Sequence, residues 1–312
     1  MIFYASGAIT DAATLETVVD NRVALLTSFA YKNAFTKQAP RIAAMLRERR
    51  ETLPYMIDSG AFTAWNKGKN VHRGALIDFY NRAYDTYADC LDFTFVSLDR
   101  IPGQQGRERT ADDFRVAAEE TAVNYDVMRT KVRGYVKPVY HDGDPDWLLK
   151  AYDDAPYISL SANQDMSYEK RETWVAEQGA RLKGRQLHGL AMTGTRMLRT
   201  IRWHSVDSAA WVLWGAMGAI AWLRDDGSLK ILACSAESPR KKHYDQHLLT
   251  LPRLARERIV GAIEARGFAL EDITTDGVAR GRWNILVFQS ACAFADTQQV
   301  ATARTSRGLF DE

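Results

Sequence analysis

Eight short apolar runs, separated by stretches whose apolar residues recur at helical spacing, predict an α/β chain folded as a (β/α)8 TIM barrel with an appended C-terminal α+β region. Two further observations sharpen this. Three of the runs lead directly into an aspartate, and the first turn, Ser6-Gly7-Ala8, lacks the GxGxxG fingerprint that an open doubly wound sheet usually carries.

In chain order the expected strands are Ile2 to Ala5, Val23 to Phe29, Tyr55 to Ile57, Phe93 to Leu98, Tyr135 to Tyr140, Tyr157 to Leu160, Leu187 to Ala191 and Trp203 to Val206. Between them, sets such as Ile42, Met45, Leu46 and Ala75, Phe79, Ala83, Tyr87 have the spacing of one helix face. Strands alternating with helices imply parallel βαβ units, and eight such units imply a closed barrel. The barrel is expected over residues 1–217, with Ser208 to Met217 as its last helix. Residues 218–312 form an extension packed on it: Ala219 to Leu223 and Leu229 to Leu232 flank the hairpin signal Asp225-Asp226-Gly227, Leu248 to Ala265 reads as an amphipathic helix, and Trp283 to Cys292 is apolar.

A chain of 312 residues with 46% hydrophobic residues can build a full core. It has no apolar run of membrane-spanning length and no signal-peptide pattern at its start, so a soluble cytoplasmic protein is expected, without a membrane partner. Three widely spaced cysteines, Cys90, Cys234 and Cys292, exclude a disulfide framework and give no CxxC knuckle. The formal charge of +2 is too small to establish a polyanion partner. Basic clusters are more informative: Arg41 to Arg50, Arg196 to Arg202, Arg240-Lys241-Lys242 and Arg253 to Arg258 are solvated helix faces first and phosphate contacts second.

In a parallel barrel the residues just after the strands share one face, where ligands bind. They are Ser28, Asp58, Asp99, Tyr140 with His141, Ser159 with Ser161, Met192 with Thr193, and Asp207. Each aspartate alone is equally well a helix cap. Together, three carboxylates converging on one mouth raise one another's pKa and allow acid, base and nucleophile roles to be divided. Phe62 beside Asp58, and the small residues after Asp58 and Asp207, leave room and a flat face for a heterocycle or a sugar.

These residues resemble a known family. Asp58-Ser59-Gly60-Ala61-Phe62 is similar to the DSGGFQ-type motif of tRNA-guanine transglycosylases (the queuine and archaeosine tRNA-ribosyltransferases), Ser97-Leu98-Asp99 with Pro102 to their guanine-recognition strand, and Val206-Asp207-Ser208-Ala209-Ala210-Trp211 to the FDSASY motif of the archaeal branch. The resemblance covers Met1 to about Leu232 and is greatest to the branch of phages and DNA-modification clusters that exchanges guanine in DNA for a 7-deazaguanine, a modification associated with restriction evasion.

The resemblance implies a glycosyltransferase with no cofactor, whose partners are DNA, presented as a flipped or single-stranded guanosine, and a free 7-deazaguanine base. Asp207 would be the nucleophile at C1′ and Asp58 the general acid/base. Asp99 would recognise the guanine edge and Phe62 stack on its face, with Met192 opposite; Ser59 and Gly60 join the substrate-binding set. Tyr140 stands where the family has a glutamine, and Ser159 to Ser161 where it has a glycine-rich strand end. The structural zinc motif of the tRNA enzymes is missing, and Cys234, His243, His247 and Cys292 are too scattered to replace it, so no metal is expected. That absence favours DNA over tRNA. A metal-free carboxylate glycoside hydrolase on the same barrel is the other enzymatic alternative, and a non-catalytic nucleic-acid binder is a third. Arg196, Arg199, Arg202, Arg240, Lys241 and Lys242, which border the last strands in sequence, are the expected backbone contacts.

Overall fold

The computed structural model describes residues 1–104, 106–162, 166–242 and 246–308, with side chains through residue 299. Nine parallel strands form one sheet: β1 (Ile2–Ser6), β2 (Ala24–Ser28), β3 (Leu53–Asp58), β4 (Leu91–Val96), β5 (Tyr135–Lys137), β6 (Val139–His141), β7 (Tyr157–Ser161), β8 (Gln186–Gly189) and β9 (Ser205–Ser208). Their order, β5-β4-β3-β2-β1-β9-β8-β7-β6, places β5 and β6 at its two ends.

Those two ends are halves of one strand. Pro138 has no N–H to give the ladder, so the run expected as a single strand is interrupted there. Its backbone nevertheless continues the pairing on both sides. Ser97 N donates to the Lys137 carbonyl at 2.8 Å and Ser159 N to the Pro138 carbonyl at 2.9 Å, which joins β4 and β7 through the same stretch and closes an eight-stranded barrel.

Period-two alternation then sorts the side chains. Phe3, Tyr55, Ile57, Phe93, Phe95 and Val136 face the helix layer in the main core, while Tyr4, Leu26, Met56, Val96 and Val139 form a smaller cluster inside the barrel. Asp58 is in phase with Met56, and Asp207 with Ser205; both therefore point inward at the carboxyl ends of their strands. The helices form for local reasons as well as packing. Thr110 and Asp113 make a reciprocal capping box at the start of the helix Ala111–Lys131, and Arg50 ends Lys32–Arg49 in the left-handed conformation.

Beyond the last barrel helix, Ala210–Ala216, the strands β10 (Ala219–Leu223) and β11 (Leu229–Ala233) pair as an antiparallel hairpin. The expected helix Leu248 to Ala265 is divided at Pro252 into a 3-10 turn, Leu248–Thr250, and a helix, Arg253–Ala265, because the residue before a proline is driven out of the helical region. The apolar stretch from Trp283 lies in a 32-residue helix, Gly277–Gly308. It crosses Ala210–Ala216 where glycines permit backbone contact: a Cβ on Gly215 would sit 3.0 Å from the Gly277 carbonyl oxygen. Among the described residues no helix is long and apolar enough to cross a membrane.

Of the four scattered His and Cys side chains, Cys234 and Cys292 are buried, and burial pushes both thiols up to about 12. His247 is also buried, its Nε2 2.9 Å from the Ser235 carbonyl, and His243 lies outside the described residues. No group of three or more His, Cys, Asp or Glu side chains is arranged to hold a metal among those residues.

Asn284 ties the long helix to the barrel. Fully buried, its Oδ1 accepts from Ala221 N at 2.6 Å and its Nδ2 donates to the Trp211 and Ala219 carbonyls. Asn284→Leu keeps the volume but strands a buried backbone N–H and two carbonyls. It should lower unfolding free energy by about 2–4 kcal/mol in urea titrations; a decrease below about 1 kcal/mol would mean that these hydrogen bonds are dispensable.

Candidate functional site

The carboxyl ends of the strands open into a cavity of about 770 Å³. Asp58 at the end of β3, Asp99 in the loop after β4 and Asp207 in β9 all line it, together with Phe62, Ser161 and Met192. The fold thus brings these six side chains to one mouth.

The three carboxylates have different partners. Asp58 Oδ2 accepts from Gly60 N at 3.0 Å. Gly60 has φ +76°, and a Cβ there would sit 2.9 Å from Ala30 N, so only glycine closes this turn. Burial, reinforced by the charge of Asp99, pushes Asp58 up to about 6. Asp99 Oδ1 accepts from the Ser59 hydroxyl at 3.2 Å, and its Oδ2 lies 2.8 Å from His141 Nε2. Burial opposes the imidazolium of His141, but the hydrogen bond and charge of Asp99, with Asp144 adding, outweigh it and raise the His141 pKa. Asp207 Oδ1 accepts from Ala191 N at 3.1 Å. Ala191 has φ +56°, the left-handed region that a residue with a Cβ seldom occupies, and this conformation turns its N–H toward the carboxylate.

Ser59 and Gly60 are outside the cavity wall. They fix Asp99 and Asp58 from behind. Tyr140 does not reach the cavity at all: it is out of phase, with its ring stacked on Trp174 and its hydroxyl donating to the Asp144 carbonyl. Its neighbour His141 takes the inward position and lines the cavity. Ser159, fully buried and one inward step below Ser161, is likewise not part of the wall, and its hydroxyl has no hydrogen-bond partner among the described residues.

The six expected backbone-binding cations are elsewhere. Arg196 pairs with Glu172 and lies over the Tyr168 ring at 5.2 Å. Arg199 donates to the Asp226 carbonyl in the hairpin turn. Arg202 precedes β9 and lines a separate recess with Trp203 and His204 at the opposite end of the barrel. The helix Thr195–Thr200 carries the chain from one end to the other, which separates residues that are close in sequence. Arg240, Lys241 and Lys242 are exposed on the 3-10 turn Pro239–Lys242, and none lines the cavity.

The cavity has its own cations. Arg107, Arg109 and Arg171 line it. Arg109 lies 5.4 Å over the Trp65 ring, and Trp65 stacks at 6.1 Å with Phe62, which is 52% exposed. Below the carboxylates the barrel interior holds polar side chains beside its apolar cluster. Lys137 is fully buried, its Nζ 4.4 Å over the Tyr157 ring and 3.4 Å from Met56 Sδ. Burial takes its pKa well down, against the opposing pull of Asp207 and Asp58. His188 stands beside Asp207, and burial, with the nearby Lys137, lowers it to about 4.

Sequence signals for some of these existed. Lys137 is a charge inside an apolar strand, and Trp65 follows Phe62 at helical i, i+3 spacing. His141 follows from strand phase once an inward residue is fixed. Arg107 and Arg109 come from the loop before the helix Ala111–Lys131, which has no periodicity to read, and Arg171 from the first turn of the helix Tyr168–Arg181.

No family model and no curated protein matches the chain. Among solved structures it is similar to the tryptophan synthase alpha chain from Legionella pneumophila subsp. pneumophila, with 8% identity over 94% of this chain and 91% of that one and a TM-score of 0.43. It is also similar to the catalytic domain of β-amylase from Paenibacillus polymyxa, with 11% identity over 66% of this chain and 92% of that one and a TM-score of 0.37.

The raised pKa of Asp58 has a stability consequence. Because the folded value of about 6 exceeds that of an unfolded aspartate, the stability it contributes is complete below about pH 4 and is lost as pH rises through about 6. Asp58→Asn removes that titration. Between about pH 4 and pH 7 the wild-type chain should lose about 2–3 kcal/mol more than the variant in urea titrations; parallel pH profiles would contradict the assigned pKa.

Proposed function

We propose that the chain is a DNA-guanine transglycosylase, which exchanges guanine in DNA for a 7-deazaguanine base such as 7-cyano-7-deazaguanine, with retention at C1′. The observation that carries this reading is the trio of carboxylates in one cavity, each with a different set of partners. Asp207 has one oxygen held by a backbone N–H, Asp58 is poised near neutrality, and Asp99 is fixed by an imidazole and a hydroxyl.

In the first displacement a carboxylate oxygen of Asp207 attacks C1′ as the bond from C1′ to N9 of guanine breaks, and Asp58 gives its proton to the departing base. In the second, Asp58 takes the N9 proton of the incoming base, N9 attacks C1′ and the bond to Asp207 breaks. Two inversions give retention. Protons and electron pairs balance over the cycle, and no cofactor is consumed.

Asp99 accepts from the N–H groups on the guanine edge, and the Phe62 and Trp65 rings at the cavity offer faces for stacking. The target nucleotide has to leave the duplex to enter the barrel, at a cost of a few kcal/mol in unstacking. Arg107, Arg109 and Arg171 line the same cavity and are suited to hold the flanking phosphates, in place of the more distant arginines and lysines expected from sequence. This cationic and aromatic lining favours a nucleic acid over the neutral sugar of a carboxylate glycoside hydrolase.

Incubation with radiolabelled guanine, candidate 7-deazaguanines and either DNA or tRNA tests the reading and its alternatives directly. Label should exchange into and out of DNA; exchange only into tRNA, or sugar release into water, would overturn the assignment. Asp207→Asn should reduce exchange by at least about 10³-fold and abolish the covalent protein-DNA adduct on denaturing gels, with DNA affinity changed by less than about threefold. Wild-type exchange in that variant would remove Asp207 as nucleophile. Separately, Arg109→Ala with Arg171→Ala should reduce the slope of log affinity against log salt by roughly 1 for each phosphate that the removed guanidinium groups neutralise. An unaltered slope would put the strand on another surface.

A further inference from the structure

Beneath Asp207 lies a buried hydrogen-bonded chain that the exchange chemistry above does not use. His188 and Ser205 are register partners on β8 and β9, both fully buried and both pointing into the barrel. His188 Nδ1 is 2.6 Å from Ser205 Oγ, and the Tyr157 hydroxyl also bonds to Ser205 Oγ. His188 Nε2 is 3.3 Å from Asp207 Oδ1, off the line of a hydrogen bond, and has no other polar partner among the described residues. Aspartate, histidine and serine stand here in the order of a hydrolase triad, but the serine is on the closed floor and no substrate reaches it.

The donors and acceptors fix the tautomer. If Nδ1 carried the proton, Nε2 would direct a lone pair at a carboxylate 3.3 Å away, and the Ser205 hydroxyl would have to donate to Tyr157. With the proton on Nε2, each group has a complementary neighbour: the Tyr157 hydroxyl donates to Ser205, Ser205 donates to Nδ1, and the Nε2–H faces Asp207. Oδ1 of Asp207 is also the oxygen that accepts from Ala191 N at 3.1 Å. One oxygen is therefore approached by both N–H groups, and Oδ2 has no hydrogen bond among the described residues.

We propose that His188 is a positioning residue for Asp207: its Nε2–H, set by Ser205 and Tyr157, holds Oδ1 from the barrel floor while the Ala191 N–H holds it from the mouth, so that Oδ2 is the oxygen presented to the cavity. The role of Oδ2 as attacking atom rests on the transglycosylase reading; the hydrogen-bond arrangement does not. A ligand-free site commonly shows such bonds long, tightening when the reacting group is bound.

The test uses the full chain with two variants. His188→Leu removes the donor at similar bulk, and His188→Gln restores an N–H near the position of Nε2. In the ligand-free protein, ¹⁵N spectra should show His188 with its proton on Nε2 between about pH 5 and pH 8, and the ¹³C chemical shift of the Asp207 carboxyl at about pH 7 should move in His188→Leu, with His188→Gln moving it back. If exchange is present, His188→Leu should lower kcat by about ten- to a hundredfold at little-changed KM, and His188→Gln should recover most of it. A proton on Nδ1, or an Asp207 carboxyl chemical shift identical in all three folded proteins, overturns the proposal whether or not the chain exchanges bases. Lack of exchange in wild type with the expected spectra refutes the transglycosylase reading alone.

Discussion

The mouth of the barrel has to hold three carboxylates within one partly desolvated cavity, and much of the local structure answers that constraint. Like charges in such a place repel strongly, and His141, its pKa raised by Asp99, offsets part of that repulsion. The barrel also gives each carboxylate a different set of donors. Asp99 has an imidazole and a hydroxyl, Asp207 has a backbone N–H, and Asp58 has the Gly60 N–H and the Ser28 hydroxyl, which burial and the charge of Asp99 outweigh to push it up to about 6. Burial thus places Asp58 where it can exchange a proton near neutrality.

Unusual backbone is found where those donors are made. Gly60 and Ala191 both have positive φ, and each turns an N–H onto a carboxylate. A left-handed alanine costs about 1–2 kcal/mol relative to the right-handed conformation, a cost that the surrounding sheet must offset. Barrel closure supplies the rigidity: the strand carrying Lys137 and His141 is bonded to a neighbour on each side despite its proline. Helices on the outside and the long C-terminal helix hold that ring from behind, so that the mouth has a fixed shape.

All eight barrel strands were legible in the sequence, with ends misplaced by one or two residues, because strand-length apolar runs between helical spacings are a strong physical signal. The three aspartates were legible for a related reason: a carboxylate that terminates an apolar strand has few places to go except the mouth. Phase was harder. Tyr140 and His141 are adjacent, and only the alternation fixed by Val139 decides which one faces the cavity. That Arg196, Arg199 and Arg202 do not line the cavity was not legible for a different reason, since they lie along a helix and its exit, and sequence proximity does not say at which end of a barrel a side chain emerges. Lys137 is marked in the sequence as a charge inside an apolar strand and His188 is not, but the burial of both against the floor becomes visible only when strands from distant parts of the chain are brought together.

The neutral floor has a consequence for a base exchange that proceeds through Asp207. Burial drives both Lys137 and His188 toward their uncharged forms, so the floor adds no charge to that of the carboxylates, His141 and the arginines at the mouth. The charge of Asp207 is one of the influences that raise Asp58. When Asp207 becomes an ester of C1′ it loses that charge, and the repulsion that favoured a protonated Asp58 weakens as Asp58 is giving its proton to the departing guanine. In the second displacement the carboxylate re-forms and the repulsion returns as Asp58 recovers a proton from the incoming base. A permanent cation on the floor would screen Asp207 from Asp58 and weaken this coupling, whereas a neutral amine and a neutral imidazole leave it intact. On the proposed transglycosylase reading, proton transfer and bond exchange at C1′ would be coupled in part through the charge of Asp207, a smaller influence on Asp58 than burial or Asp99.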